Sequence, residues 1–377
     1  MSIDRRDFLQ NAAMAVGLLP FGMSGFKEIK VKANPLPEFA SPRIKMGIIG
    51  INHGHIYSMA NAVIKGGAEL VSFYAQEDDL AIAFLKRFPN AKRVKEEKEV
   101  LEDPSIQLIL SAAIPNERAP IAMRAMLHGK DVMVDKPGIT DLNQLKKLRQ
   151  IQKKTGKIFS VSYSERFENQ ASEKAGELVK AGAIGKVIQT IGLGPHRRSA
   201  SSRPTWFFDK KYFGGIITDI ASHQFDQFLY YTGSTKGEIL GSQVGNWNNK
   251  QYPQFEDFGD VIVRGDHGTG YIRVDWFTPG GVKPFGDGRL FILGTEGYIE
   301  LRKYTDIANK EKGSNLYLVN QKEALYMDCS DVNLTYGHNL VDDVLNRTDT
   351  AMTQAHSFLA MELAIKAQKM AKWIDAV

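Results

Sequence analysis

The chain has 377 residues, 43% of them hydrophobic and 24% charged, which excludes a disordered or fibrous polypeptide and suffices for two ordinary cores. Its formal charge of +5 is scattered, with no basic stripe interleaved with aromatics, so no nucleic-acid partner is expected. Cys329 is the one cysteine, which excludes an internal disulfide and a CxxC metal or redox motif.

At the amino terminus, Asp4-Arg5-Arg6-Asp7-Phe8-Leu9 precedes a weakly apolar run from Ala12 to Phe21 and then small residues, the order of a twin-arginine export signal. About ten apolar residues are too few for the roughly 20 of a membrane-spanning helix, and no other stretch approaches that length. The expectation is export to the periplasm or another extracytoplasmic space without membrane insertion after signal removal; a non-functional signal would leave the protein cytoplasmic. Residues 1–30 read as the signal and 31–43, with Pro35, Pro37 and Pro42, as a tether.

From Ile44 apolar β-type runs alternate with helical stretches, as in a doubly wound parallel sheet. Strands are predicted at 45–50, 69–74, 108–113, 131–135 and 158–163, with helices at 79–88, 118–128 and 141–155, so residues 44–163 read as a dinucleotide-binding Rossmann domain. The pattern then changes. A helix at 173–181 and a strand at 186–193 lead into an irregular basic segment, 196–203, and a helix beginning near Gly215. Strands follow at 261–265, 270–278, 289–293, 298–302 and 315–319, with hairpin turns at Gly268 and at Gly294-Thr295-Glu296-Gly297. A helix at 353–374 completes an α+β domain, residues 164–377, built on a large, mostly antiparallel open sheet.

The first strand runs into Gly47-Ile48-Ile49-Gly50-Ile51-Asn52-His53-Gly54-His55 and then a helix, where a Rossmann fold places pyrophosphate on the helix N-terminus. If Gly50 is the first glycine of GxGxxG, Asn52 takes the second position, where Asn tolerates a left-handed backbone. His55 takes the third, a departure from the motif. Phe73-Tyr74-Ala75-Gln76-Glu77 lacks the carboxylate that grips a ribose, unless Glu77 is brought in by a slipped strand end, and so leaves NAD against NADP open.

Further motifs occur in order: Leu101-Glu102-Asp103-Pro104, Ile114-Pro115-Asn116, and His128-Gly129-Lys130-Asp131-Val132-Met133-Val134-Asp135-Lys136-Pro137. Gly182-Ala183-Ile184-Gly185-Lys186-Val187, then Gly214-Gly215-Ile216-Ile217-Thr218-Asp219-Ile220-Ala221-Ser222-His223-Gln224-Phe225-Asp226, then Phe291-Ile292-Leu293-Gly294-Thr295-Glu296-Gly297 complete the series. Over roughly residues 44–375 the chain resembles the Gfo/Idh/MocA oxidoreductases, whose Glu-Lys-Pro tripeptide is here Asp-Lys-Pro. A histidine usual in that family after the Pro-Asn turn is replaced by Ala119, beside Arg118.

The resemblance implies a hydride transfer between NAD or NADP and a hydroxyl-bearing carbon of a sugar, cyclitol or related polyol, with Lys136, Asp219 and His223 as the catalytic set. His223, with an ordinary pKa near 6.5, would take the hydroxyl proton; Asp219, four residues earlier on one helix face, would orient it; Lys136 would stabilise charge on the substrate oxygen. Gly50, Asn52, His53, Gly54, His55, Pro115, Asn116, Asp135 and Lys136 are the expected cofactor contacts. Two alternatives stay open: a redox-neutral enzyme that cleaves or eliminates a glycoside through a transient keto-sugar on tightly bound NAD, and a cofactor-binding protein without catalysis. Family members often pair through the open sheet, so a homo-oligomer is expected.

His53 and His55 would donate to pyrophosphate or substrate; no carboxylate or cysteine at metal-ligand spacing accompanies them, so no metal is assigned. His196-Arg197-Arg198 suits a substrate carboxylate or phosphate, or an exposed basic loop. Trp206-Phe207-Phe208 suits a sugar-stacking wall or a plain core. Tyr163, Glu165 and Arg166 fall where the cleft narrows; of these, Tyr163 and Arg166 join His196, Arg197, Trp206 and His223 as expected substrate contacts.

Overall fold

The computed structural model describes residues 27–32, 35–308 and 313–374, so the expected twin-arginine motif lies outside the described residues. The end of the expected leader lies within them. Lys27–Lys30 forms strand β1, paired in parallel with residues 325–328, so these residues belong to a sheet rather than to a leader or tether.

The next strands are β2 (Ile44–Ile49), β3 (Ala68–Tyr74), β4 (Lys92–Arg93), β5 (Leu108–Ser111), β6 (Asp131–Asp135) and β7 (Phe159–Ser162). Every residue of β5, β6 and β7 is buried, which suits strands covered on both faces and explains their uninterrupted apolar runs. The six form one all-parallel sheet in the order β4-β3-β2-β5-β6-β7. Strand order reverses between β2 and β5, and a ligand crevice belongs outside the carboxyl ends of the strands at that point. Local chemistry fixes the helix ends nearby. Pro115 opens helix Pro115–Leu127, Asp141 caps helix Leu142–Thr155 by accepting from the Asn143 and Gln144 amides, and left-handed Gly156 ends it.

The second sheet holds β8 (Val187–Pro195), β9 (Gly237–Gly245), β10 (Phe258–Gly265), β11 (Thr269–Asp275), β12 (Arg289–Gly294), β13 (Gly297–Arg302), β14 (Asn315–Asn320), β15 (Ala324–Asp328) and β16 (Lys372–Ile374). With β1 it runs β1-β15-β14-β13-β12-β8-β11-β10-β9-β16, antiparallel except at β1–β15, β8–β11 and β9–β16. Period-two alternation separates its faces. Val261, Ile272, Gly192, Leu290, Leu301 and Leu316 stand in one register row and are buried. In the adjacent row Ile262, Tyr271, Ile191 and Phe291 all keep solvent contact. Helix Ala221–Thr232 lies on the inner face so closely that a Cβ on Gly192 would come within 2.8 Å of Gln224, which is why β8 carries glycine there.

The sequence reading missed β4, β9, β15 and helix Tyr336–Asn346. β4 is two charged residues at a sheet edge, and the helix is rich in Asn, Asp, Gly and His, so packing rather than propensity sets both. The last helix is Gln354–Met370, shorter than expected, because 372–374 leave it to pair with β9. No described helix is long and apolar enough to cross a membrane.

The test sets a chain that begins at Lys27 against one that begins at Val31. Trimming through residue 30 strips β15 of its parallel partner and should lower Tm by about 2–4 °C, the scale of roughly 1 kcal/mol in a domain of this size. Thermal scans of the two truncations decide it.

Candidate active site

The site begins under the carboxyl end of β6. Arg118, only 1% exposed, donates from Nε to the Ala113 carbonyl (2.8 Å) and from one terminal nitrogen to the carbonyls of Lys136 and Pro137. Its other terminal nitrogen meets the Asp135 carboxylate at 3.0 Å. Asp135 also accepts from His53 Nδ1 (2.7 Å) and His55 Nδ1 (2.9 Å) through its two oxygens. Burial alone would raise the Asp135 carboxyl, but the Arg118 guanidinium and the two imidazoles hold it well below the usual range. Burial, with His55 alongside, pushes His53 down to about 4.

Asp135 is completely buried beneath the histidines, so it orients them and does not itself contact a cofactor, contrary to the expectation from the motif. It is also the carboxylate that sequence spacing did not supply beside His53 and His55, with all three ligand atoms within 4.8 Å of one another. A cation there would have to break both imidazole hydrogen bonds and sit next to a buried guanidinium. The geometry is that of a hydrogen-bonded triad.

Lys136 projects from this support and donates to Asp219 at 2.9 Å, both side chains nearly buried at 5% and 11% exposure. Asp219 closes the short helix Ile216–Asp219, and helix Ala221–Thr232 follows, bringing His223 into the same cavity. Burial would raise the Asp219 carboxyl, yet the Lys136 ammonium holds it below its ordinary value. Asp219 is therefore engaged by Lys136, and no hydrogen bond joins it to His223 as the helical spacing suggested. His223 Nδ1 has no partner, and its ring meets Tyr163 edge-on at 6.1 Å. Burial pushes His223 down to about 3, with the Glu165 carboxylate opposing and Lys136 assisting, so it is neutral across the physiological range.

Glu165 accepts from Lys303 (2.7 Å), Gln224 (2.9 Å) and Gln227 (3.3 Å) on one oxygen, and the other is unpartnered. The charge of Lys303 outweighs burial and keeps this carboxyl ionised. The cavity draws His53, His55, Pro115 and Lys136 from the first sheet's edge and His196, Arg197, Trp206, Asp219 and His223 from the second domain. Tyr163 and Arg166 do not line it. Arg166 is turned away onto Asp226 in a two-pronged pair at 2.6 and 2.7 Å, and Tyr163 is fully buried behind His223. Arg118, Arg203, Trp276 and Phe285 line the cavity without having been assigned to it. Arg118 had a signal, as the neighbour of the substituted Ala119; Lys303 had none, since only the fold brings it to Glu165.

A separate groove on the first domain runs along Gly50, Asn52, Tyr74, Glu77 and Ile114, with Asn52 and Ile114 next in sequence to His53 and Pro115 of the cavity. Gly50 has φ +78°, and a Cβ there would come within 2.5 Å of the Ala113 Cβ, so the turn requires glycine. Glu77 reaches the groove from the N-cap position of helix Asp78–Arg87 and accepts from Asn52 at 2.6 Å, supplying the carboxylate without any slip of β3. Helix His55–Lys65 starts at Gly54 without a side-chain cap, around an open face where a Cβ would meet nothing within 4 Å. Asn116, in the first turn of helix Pro115–Leu127, lines neither the cavity nor the groove; its Oδ1 is buried without a partner and its carbonyl accepts from Gln144. A glycine turn, an uncapped helix start and a carboxylate beyond the second strand fit a nicotinamide dinucleotide.

Two family descriptions match this chain: "Oxidoreductase family, NAD-binding Rossmann fold" over residues 44–163 and "GFO/IDH/MocA C-terminal domain" over residues 172–300. A crystal structure of a protein described as an oxidoreductase, from Erwinia carotovora atroseptica, is 43% identical, with TM-score 0.86 over 88% of this chain and 100% of that one. The scyllo-inositol 2-dehydrogenase (NAD(+)) of Bacillus subtilis is 28% identical over 68% of this chain and 73% of its own. A levoglucosan dehydrogenase solved with NADH and levoglucosan shares the fold at TM-score 0.73 and 17% identity, over 87% of this chain and 98% of that one.

Arg118→Met should destabilise the protein by about 3–5 kcal/mol, because Asp135 would keep a buried charge without its permanent counter-ion. Denaturant melts measure it; a change within about 0.5 kcal/mol would show that the guanidinium is not the support described.

Proposed function

The chain belongs to the Gfo/Idh/MocA oxidoreductases, and we infer that it moves a hydride between NAD or NADP and a hydroxyl-bearing carbon of a sugar or cyclitol. The observation that carries this is the convergence of Lys136, Asp219 and a neutral His223 in one cavity beside the dinucleotide groove. When bound, the nicotinamide supplies the hydride acceptor or donor. In the oxidation direction a ring nitrogen of His223 takes the hydroxyl proton, and the Lys136 ammonium donates to the substrate oxygen as negative charge builds there. Asp219 keeps that ammonium in place. Glu165, through its free oxygen, accepts from a second hydroxyl and sets ring orientation.

Lys136→Met should leave dinucleotide affinity within a few-fold of wild type while lowering turnover by about 10² to 10³, and His223→Ala by about 10² to 10⁴. Because the folded pKa of His223 lies far below 6.5, its base form persists as pH falls. The acid limb of kcat/KM should therefore lie well below pH 6.5, and it should vanish in His223→Ala. Rates on a sugar and cyclitol series, followed at the nicotinamide absorbance, check all three. Turnover surviving both substitutions within about tenfold would overturn the assignment.

The Arg5-Arg6 segment supports export through the twin-arginine route, with cleavage upstream of Lys27, since β1 belongs to the folded body. Export of a folded reporter by residues 1–40 should stop when both arginines become lysine; undiminished export would remove this assignment. The same segment favours a second, redox-neutral reading on retained NAD, because free dinucleotide is not expected outside the cytoplasm. Reduced cofactor equal to product supports net oxidation, and product without it supports the redox-neutral course. The exposed apolar row through Ile262 and Phe291 supports pairing of two copies through the open sheet.

A further inference from the structure

Of the charges lining the cavity, only Arg197, held by backbone carbonyls, and Arg203 lack a partner carboxylate among the described residues. Lys136 is matched by Asp219, Glu165 by Lys303, and Arg118 with the two histidines by Asp135. Arg203 remains. Its Nε donates to the Arg198 carbonyl at 3.1 Å, and its guanidinium lies 4.4 Å from the Phe207 ring and 5.4 Å from Trp276. Among the described residues no carboxylate pairs with it, and its terminal nitrogens have no acceptor. Asp219, whose charge it feels, is already held by Lys136.

A guanidinium held against aromatic faces, without a carboxylate partner and in the wall between this cavity and a groove along Thr205, Phe208 and Tyr252, suits a planar or tetrahedral oxyanion. Arg197 adds a second positive charge to the same wall; one of its terminal nitrogens is held by the Pro279, Val282 and Pro284 carbonyls, and its Nε is buried without an acceptor. The free oxygen of Glu165 would repel an anion and so sorts the ligand: neutral hydroxyls go to Glu165, an acidic end to Arg203. Resting on the oxidoreductase reading, we propose that the substrate is an acidic sugar, carrying a carboxylate or phosphate that Arg203 binds while the reacting hydroxyl faces Lys136 and His223.

The test is calorimetry of the NAD-saturated enzyme with D-glucuronate, D-glucose 6-phosphate and D-glucose, repeated on Arg203→Met and Arg203→Lys, alongside kcat/KM for each sugar. Wild type should bind at least one acidic sugar about tenfold or more tightly than glucose, the range of a charge-assisted hydrogen bond. Which acid gains identifies carboxylate or phosphate. The preference should collapse in Arg203→Met, return in part in Arg203→Lys, shrink with added salt, and fall on KM more than on kcat. Glucose bound as well as both acids in wild type, or a preference unchanged in Arg203→Met, would overturn it. A binding preference without cofactor reduction would leave this inference standing and remove the dehydrogenase reading. Oxidation of glucose alone would do the opposite.

Discussion

A guanidinium cut off from water must find its acceptors within the protein, and Arg118 finds them at the carboxyl ends of β5 and β6 and on the Asp135 carboxylate. Removing any acceptor would leave a buried charge exposed to low dielectric, so the arrangement fixes these strand ends relative to one another. Two consequences spread outward. The backbone at Lys136 is held, which aims its side chain across the interdomain cavity at Asp219. Asp135 is in turn positioned to hold His53 and His55, the residues that flank the start of the phosphate-turn helix.

The second domain answers with a contrasting pair. Lys303 and Glu165 are more deeply set, at 1% and 2% exposure, with Glu165 at the cavity wall, whereas Lys136 and Asp219 are slightly more open. The same chemistry thus serves two ends: the deeper pair keeps a carboxylate ionised beside His223, and the more open pair presents an ammonium to whatever enters. His223 lies between these charges and is kept neutral chiefly by burial. A basic form at rest and a cation nearby to offset the alkoxide are complementary requirements of the same proton transfer.

Both sheets, the hairpins and the principal site residues were legible because each has a local signature: unbroken apolar strands, alternating ones, a Lys-Pro strand end, an Asp and His four apart. What was not legible depends on contacts between distant segments. Nothing near Asp219 says that it will meet Lys136, 83 positions earlier, rather than His223. Arg166 looked like a cleft residue because it follows the last Rossmann strand, yet Asp226, 60 positions later, claims it from the interior. Glu77 was discounted through strand register, and a helix N-cap delivered it instead. The histidine's ordinary pKa was likewise no guide, since burial, invisible in sequence, dominates it.

The second sheet ends in strands of four residues at β1 and three at β16, each added in parallel and each beginning with lysine. An open sheet of ten strands would otherwise present rows of unpaired amides and carbonyls at both margins, inviting other chains to add on. Short, charged, parallel strips offer such intruders little length and an unfavourable charge. The margins thus give edge-to-edge strand addition, the geometry by which cross-β stacks grow, only a short and charged foothold.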